Sequence, residues 1–356
     1  MRKLFFFGEL PPRTVHGASI SNKINVNILK KKFKVDYVEE FQDLKFHEKF
    51  SVYKIKSFLS SVSKSWGKMS LNRYDYFYGV IYLSTFGLLK NLMLIWFFRL
   101  LNKGSRIILH FHRSDIEIVF KKSVNSKIFK ALNRIVDEYI VLSHAQKKII
   151  ENNTSKKANL LYNTIEEKEY EEFKNKNDKE VRLLFLSNLI YEKGICELVN
   201  AFLLLEKQKL GIRFRLDCYG SFTDGELKNY LLKELLMTSN NISFHDAIYG
   251  EEKHCILLNS DLVILPSYNE GLPLILLESL FYKKPIIITP VGYISEALGE
   301  DYPLYCEVKN EKSIIDKILL YVDNLRYDDS FICDLKKKYS KFSMEEHEKT
   351  LLEIFA

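Results

Sequence analysis

Short apolar runs alternate with longer segments of helical spacing along the whole chain. Lys3–Gly8, Val35–Val38, Tyr78–Ser84, Arg106–Phe111 and Tyr139–Leu142 have strand length and mostly apolar content. That is the pattern of strands buried on both faces. Between them, the spacing predicts helices from Ser19 or Ser21 to about Lys32, over Tyr53–Lys68 and over Leu88–Leu101, and one capped by Ser143. Ile165–Glu180 is dense in Glu, Lys, Asn and Asp and reads as a solvated connector. Beyond it the alternation resumes, with strands at Arg182–Ser187, Phe214–Tyr219, Ile242–Phe244, Asp261–Leu265 and Pro285–Thr289. The helices there are Gly194–Gln208, Leu272–Tyr282, a short one holding Glu296, and a last one at Ser343–Ile354. Strand–helix alternation in both halves predicts an α/β protein of two doubly wound, Rossmann-like domains, residues 1–170 and 181–340, followed by a helix within 341–356.

Composition agrees with that size. The chain has 356 residues, and 47% apolar content is enough for two cores. The most apolar window, Gly79–Leu101, is interrupted by Lys90, Asn91 and Arg99, so it reads as a strand and a helix, not a membrane span. The apolar run Leu4–Phe7 is too short for a secretory signal. Five scattered cysteines without metal-ligand spacing predict reduced, buried thiols and a cytoplasmic protein. Charge is divided unevenly: residues 1–170 hold 30 Lys and Arg against 15 Asp and Glu, the remainder 23 against 31. The basic half suits an anionic partner such as a membrane surface, or is a solvated lysine-rich surface. Tyr53–Lys68 has the make-up of a basic amphipathic helix, which either lies on a membrane or packs one face on the core.

The densest candidate chemistry lies in Pro266–Glu278. The apolar strand before it, the loop, and the helix after it form a strand–loop–helix unit. A helix start behind a strand's carboxyl end is an anion site, because free N–H groups and the helix dipole face the ligand. Gly271 lets backbone approach closely. Glu278, about one and a half turns into the helix, is placed for a hydroxyl pair beyond the anion. Glu270 faces what is attached on the other side. Hydroxyls at both ends with phosphate between describe a sugar nucleotide.

The spacing of Glu270 and Glu278, with Gly271-Leu272-Pro273 after the first, resembles the nucleotide-binding motif of family-4 (group 1) retaining glycosyltransferases. The resemblance implies the GT-B fold, two Rossmann-like domains facing across a cleft, with the terminal helix packing back on the first. It extends to other segments. Gly17 matches the glycine before the first helix, beside the donor phosphates. His112, at the end of a strand that also carries His110, matches the strand-end histidine facing the reacting sugar; His110 is read as structural. Lys193 matches the lysine that neutralises the donor diphosphate. The family's arginine position falls on Asn188, a departure that leaves a hydrogen-bonding group but no charge. The strand ends at Tyr219 and at His245-Asp246 match the segments that hold the nucleobase through backbone groups.

The resulting expectation is metal-independent, retaining transfer of a sugar from a nucleotide-diphosphate donor to an acceptor hydroxyl, with no obligatory cofactor. Glu270 and His112 are the catalytic candidates; Gly17, Asn188, Lys193, Gly271, Leu272, Pro273 and Glu278 hold the donor. A glycan or lipid-linked glycan acceptor at the inner face of the cell membrane would suit the basic half. Two alternatives remain open: a hydrolysing sugar-nucleotide epimerase, and an inactive GT-B subunit that binds a partner or a glycan, which Asn188 favours. No nucleic-acid-binding motif is present.

Overall fold

Two all-parallel sheets carry the fold in a computed structural model that describes residues 1–39, 52–121, 123–169, 179–208, 210–232 and 239–356, with backbone alone for 52–59. The chain divides into two compact units: Met1–Glu166 with Met344–Ala356, and Glu167–Ser343. The cut falls a few residues before the expected 170, and the terminal helix groups with the first unit.

In the first unit the elements are β1 (Lys3–Gly8), α1 (Gly17–Lys30), β2 (Lys34–Glu39), α2 (Val52–Leu71), β3 (Tyr76–Val80), α3 (Thr85–Leu101), β4 (Arg106–His110), α4 (Ile118–Lys121), α5 (Ser123–Asn133), β5 (Glu138–Val141), α6 (His144–Asn153) and β6 (Lys157–Leu160). The strands lie in the order β2-β1-β3-β4-β5-β6. Because side chains alternate along a strand, each run feeds both faces. Phe5, Phe7, Phe77, Ile107, Leu109, Tyr139 and Val141 join one buried cluster, which α2, α3, α5 and α6 cover. Leu4, Phe6, Tyr76, Tyr78, Ile108 and Ile140 join another, with α1 and the terminal helix. This is why the strands show no polar alternation.

In the second unit they are β7 (Glu180–Leu186), α7 (Ile195–Glu206), β8 (Arg213–Tyr219), α8 (Gly225–Tyr230), β9 (Ile242–His245), α9 (Gly250–Asn259), β10 (Leu262–Leu265), α10 (Leu274–Phe281), β11 (Ile286–Ile288), α11 (Ile294–Leu298), α12 (Glu311–Leu320) and α13 (Asp329–Tyr339); α14 (Met344–Ile354) returns to the first unit. The strand order is β11-β10-β7-β8-β9. From β7 the chain winds outward through β8 and β9, then returns to place β10 on β7's other side. The carboxyl ends of β7 and β10 therefore flank a topological switch point, where open α/β sheets bind ligands. In the first unit β1 and β3 do the same.

Several expected boundaries shift. The strand expected at Tyr78–Ser84 is Tyr76–Val80. Asn91 takes over the backbone beyond it, accepting from Tyr82 N and donating to Val80 O, and Ser84 caps α3 through Gly87 N. Pro273 is the N-cap of α10, not a first-turn residue. The thiols are not uniformly buried: Cys218 and Cys306 are, Cys196 and Cys255 are partly so, and Cys333 is exposed. Over its described side chains α2 packs one face on the core, with Val62 and Met69 buried and Trp66 stacked on Phe97 at 4.6 Å. The front of the Tyr53–Lys68 segment lies outside the residues whose side chains are described.

Candidate active site

At the switch point of the second unit, the loop after β7 meets the loop after β10. Two glycines make the meeting possible. Gly194 has φ +70°, and a Cβ there would sit 2.1 Å from the carbonyl oxygen of Pro266. Gly292 has φ +62°, and its Cβ would sit 1.8 Å from the carbonyl oxygen of Glu270. Both positions need the left-handed region and no side chain. The Pro266–Glu270 backbone is thus bracketed from both sides, and Tyr268 N donates to Glu192 O at 2.8 Å while Tyr293 N donates to Gly271 O at 3.2 Å.

That bracketing sets the carboxylate of Glu270. It is 9% exposed, and its Oε1 accepts from Lys193 Nζ at 2.6 Å and from Ser267 Oγ at 2.8 Å. Ser267 is itself held, its carbonyl accepting from Thr289 Oγ1 at 2.5 Å. Lys193 closes a 3-10 turn, Tyr191–Lys193, immediately before Gly194. Water screens an ion pair this sheltered less than a surface pair, while desolvation of the two charges offsets part of the attraction.

Glu278 lies in α10, a helix whose eight residues are all buried. Its Oε1 accepts from Lys253 Nζ of α9 at 2.6 Å. Its Oε2 is buried and has no hydrogen-bond partner. A buried carboxylate oxygen left open is costly unless something donates to it, so this atom marks a place for a hydroxyl or amide donor. The N-cap of α10 makes no side-chain hydrogen bond, Leu276 N of the first turn donates to Pro273 O at 3.1 Å, and a helix start of this kind favours an anion.

The remaining second-unit candidates sit at neighbouring strand ends. Asn188 is exposed on the loop after β7. Tyr219 and His245, at the ends of β8 and β9, stack with ring centroids 4.3 Å apart and planes 14° apart. Asp246 is exposed next to them; His245 Nε2 lies 3.3 Å from Asp217. Burial followed by the charge of Asp217 raises the Tyr219 phenol.

In the first unit, Gly17 opens α1, with His16 as its N-cap. The helix brings Asn22 to His112: Nε2 and Asn22 Oδ1 are 2.8 Å apart. Asn22 Nδ2 donates to Glu9 O, so its Oδ1 is an acceptor and His112 Nε2 carries the proton. The bare Nδ1 is buried without a partner. Burial first, then the nearby His16, lowers the imidazole to about 3, so it is neutral. His110 packs on it, ring centroids 4.0 Å apart, and continues into a buried chain. His110 Nδ1 is 2.8 Å from Tyr78 Oη, Asn25 Nδ2 is 2.8 Å from the same oxygen, and Asn25 Oδ1 is 2.6 Å from His347 Nε2 of α14. At the β1–β3 switch point, Glu9 accepts from or pairs with His16 Nε2 at 2.6 Å, and the buried Lys90 is lowered to about 7 by desolvation, against the pull of Glu9.

Within the second unit the structure joins Lys193 to Glu270 and puts Gly271, Leu272, Pro273 and Glu278 on one loop and helix. Within the first it sets His112 behind α1. Lys253, Ser267, Gly292 and Asn22 were not singled out as site residues. Gly292 was visible as the glycine of Val291-Gly292-Tyr293, but nothing in the spacing of Lys253 or Asn22 connects them to Glu278 or His112.

The family described as glycosyl transferases group 1 matches residues 166–337. TuaC of Bacillus subtilis, a candidate teichuronic acid biosynthesis glycosyltransferase, is 28% identical over 138 residues, 39% of this chain and 32% of that protein. The glycosyltransferase MJ1178 of Methanocaldococcus jannaschii, itself uncharacterized, is 26% identical over 244 residues, 67% of this chain and 64% of that one. The chain thus spans less than two thirds of each relative's length. Among solved structures, sucrose-phosphate synthase from Thermosynechococcus elongatus superposes with a TM-score of 0.76 at 13% identity, covering 99% of this chain and 98% of that one. Anabaena HepE in complex with UDP and glucose gives 0.69 at 12% identity, covering 100% and 99%. These likenesses establish the GT-B fold.

Proposed function

We propose, from the match of residues 166–337 to the group 1 glycosyl transferases, that the chain moves a sugar from a nucleotide diphosphate to an acceptor hydroxyl with retention at the anomeric carbon. The observation that carries this reading is the pair of buried carboxylates, Glu270 and Glu278, each held by a lysine at 2.6 Å on either side of the α10 start. The diphosphate sits on the first-turn amides of α10 with Lys193 as its cation and Asn188 as a neutral donor. Ribose hydroxyls donate to Glu278, whose open Oε2 is the acceptor. Glu270 orients the transferred sugar and stabilises positive charge as the bond between the anomeric carbon and the phosphate oxygen breaks. The acceptor oxygen bonds to that carbon on the same face, and its proton passes to the departing diphosphate.

The HepE complex holds UDP and glucose, so uridine diphosphate sugars head the test panel. TuaC is named for teichuronic acid biosynthesis, and we assign the acceptor here to a glycan, free or lipid-linked. Cationic side chains supply the charge stabilisation in this scheme, with no obligatory metal. The test is calorimetric donor binding by Glu278→Ala, with turnover measured alongside. Affinity and rate both equal to wild type would remove the donor assignment. The lack of a cation at Asn188 favours a second reading, an inactive binding subunit; nucleotide release with no acceptor of any class would support it.

A further inference from the structure

Helix α3 is largely apolar, and among the described residues one of its sides is uncovered. Leu89, Met93, Trp96 and Leu100 are 42%, 41%, 54% and 50% exposed. Their spacing of four, three and four residues places them within an arc of about 60° and along about 16 Å of helix. Such a stripe is neither a core face, which would be covered, nor a solvent face, which would be polar. The helix's own cations do not dilute it: Lys90 is buried and Arg99 pairs with Asp137.

The surroundings have one sign. From the strand order, α2 and α5 lie on either side of α3 on the same face of the first sheet, and all three contribute to one cluster. None of the three helices contains an Asp or a Glu. Lys64 on α2 and Lys127 and Lys130 on α5 are exposed. The three helices therefore present an apolar strip with a tryptophan, framed by their own cations, with the Asp137 carboxylate paired to Arg99.

We propose that this face docks on an anionic lipid surface, with the α3 stripe entering the boundary between headgroups and acyl chains and the flanking lysines resting on the headgroups. Tryptophan is suited to that boundary, having an apolar body and a polar edge. A second copy of the chain is disfavoured, because it would press two cationic faces together. A nucleic acid is disfavoured, because the centre of the face offers it no row of donors. Among the described residues no helix is long and apolar enough to cross a membrane, so the contact lies on the surface. The proposal rests on surface chemistry, and lipid binding tests it whether or not the chain turns over a sugar nucleotide.

The test uses the full chain and vesicles of phosphatidylcholine with and without phosphatidylglycerol. The chain has two tryptophans, and Trp66→Phe leaves Trp96 as sole reporter. The expected result is co-sedimentation about tenfold stronger with the anionic vesicles, weakened by salt, with a blue shift of Trp96 emission. Trp96→Asp and Leu89→Asp, both at exposed positions, should each reduce binding about tenfold while thermal unfolding stays unchanged. No sedimentation at low salt would overturn the proposal, as would full binding by both Asp variants. A lipid-free dimer that buries Trp96, or equal competition by an RNA homopolymer, would replace it with another partner.

Discussion

Lys193 Nζ lies 2.6 Å from Glu270 Oε1 although 77 positions separate the two residues. The contact joins the two loops of the second unit's switch point, and both side chains are sheltered there. Removing one partner leaves the other charge buried and unpaired, which costs more than the pair contributes. Lys193→Ala should therefore lower turnover about a hundredfold and weaken nucleotide diphosphate binding. Glu270→Gln keeps an acceptor for Ser267 and should lower turnover comparably while changing donor affinity less than about fivefold. Steady-state kinetics with calorimetry separates the two patterns.

Lys253 orients Glu278 by holding one oxygen and leaving the other open. Lys253→Met should raise the donor KM about tenfold with kcat at saturation nearly unchanged, and Lys253→Arg should recover most of the loss. An equal KM in the Met variant would show that α9 has no part in holding the donor.

Gly292 cannot accept a side chain where it stands, since its φ is +62° and a Cβ would meet the Glu270 carbonyl oxygen at 1.8 Å. Gly292→Ala should destabilise the second unit by about 2–4 kcal/mol and weaken donor binding through the displaced Glu270. Denaturant unfolding and nucleotide titration of the same variant check both effects.

Lys90 is depressed to about 7 from 10.5 by burial. Between those values the unfolded chain holds a proton that the folded chain lacks, so stability rises with pH across the window. Below about 7 the full cost of a buried charge is present. Lys90→Met should stabilise the protein by about 2–4 kcal/mol near pH 6, a gain that fades toward pH 10. Thermal unfolding of wild type and variant across that range reads the difference.

His347 is held near 4 by burial, against an ordinary 6.5, and buried His110 is also pushed down. The unfolded chain protonates first, so stability is lost as pH falls from about 6.5 toward 4. His347→Gln should cost about 1 kcal/mol at pH 7, from the lost bond donated to Tyr162 O, and should flatten the acid dependence. Denaturant midpoints at pH 7 and pH 4.5 measure both.

The Glu270–Glu278 spacing and the strand–helix alternation were legible because each depends on neighbours within a dozen residues. Strand β1 shows the limit. Its run of Leu4, Phe5, Phe6 and Phe7 announces burial on both faces, but which helices cover which face follows from sheet order. The Tyr78–Ser84 expectation failed at its end because a side chain from the next helix, Asn91, satisfies the backbone there. Lys253 and Asn22 were not recognised for the same reason: they reach Glu278 and His112 from other crossover helices.

By itself the sequence determined what is local: apolar periodicity, helix caps, the glycines that permit left-handed turns, and the gathering of two carboxylates, a glycine and two prolines within Pro266–Glu278. Only the tertiary structure decided which charges are paired, which buried oxygen is left open, and which face of α3 remains uncovered. Those outcomes depend on strand order and long-range packing, which bring together residues that no sequence spacing connects.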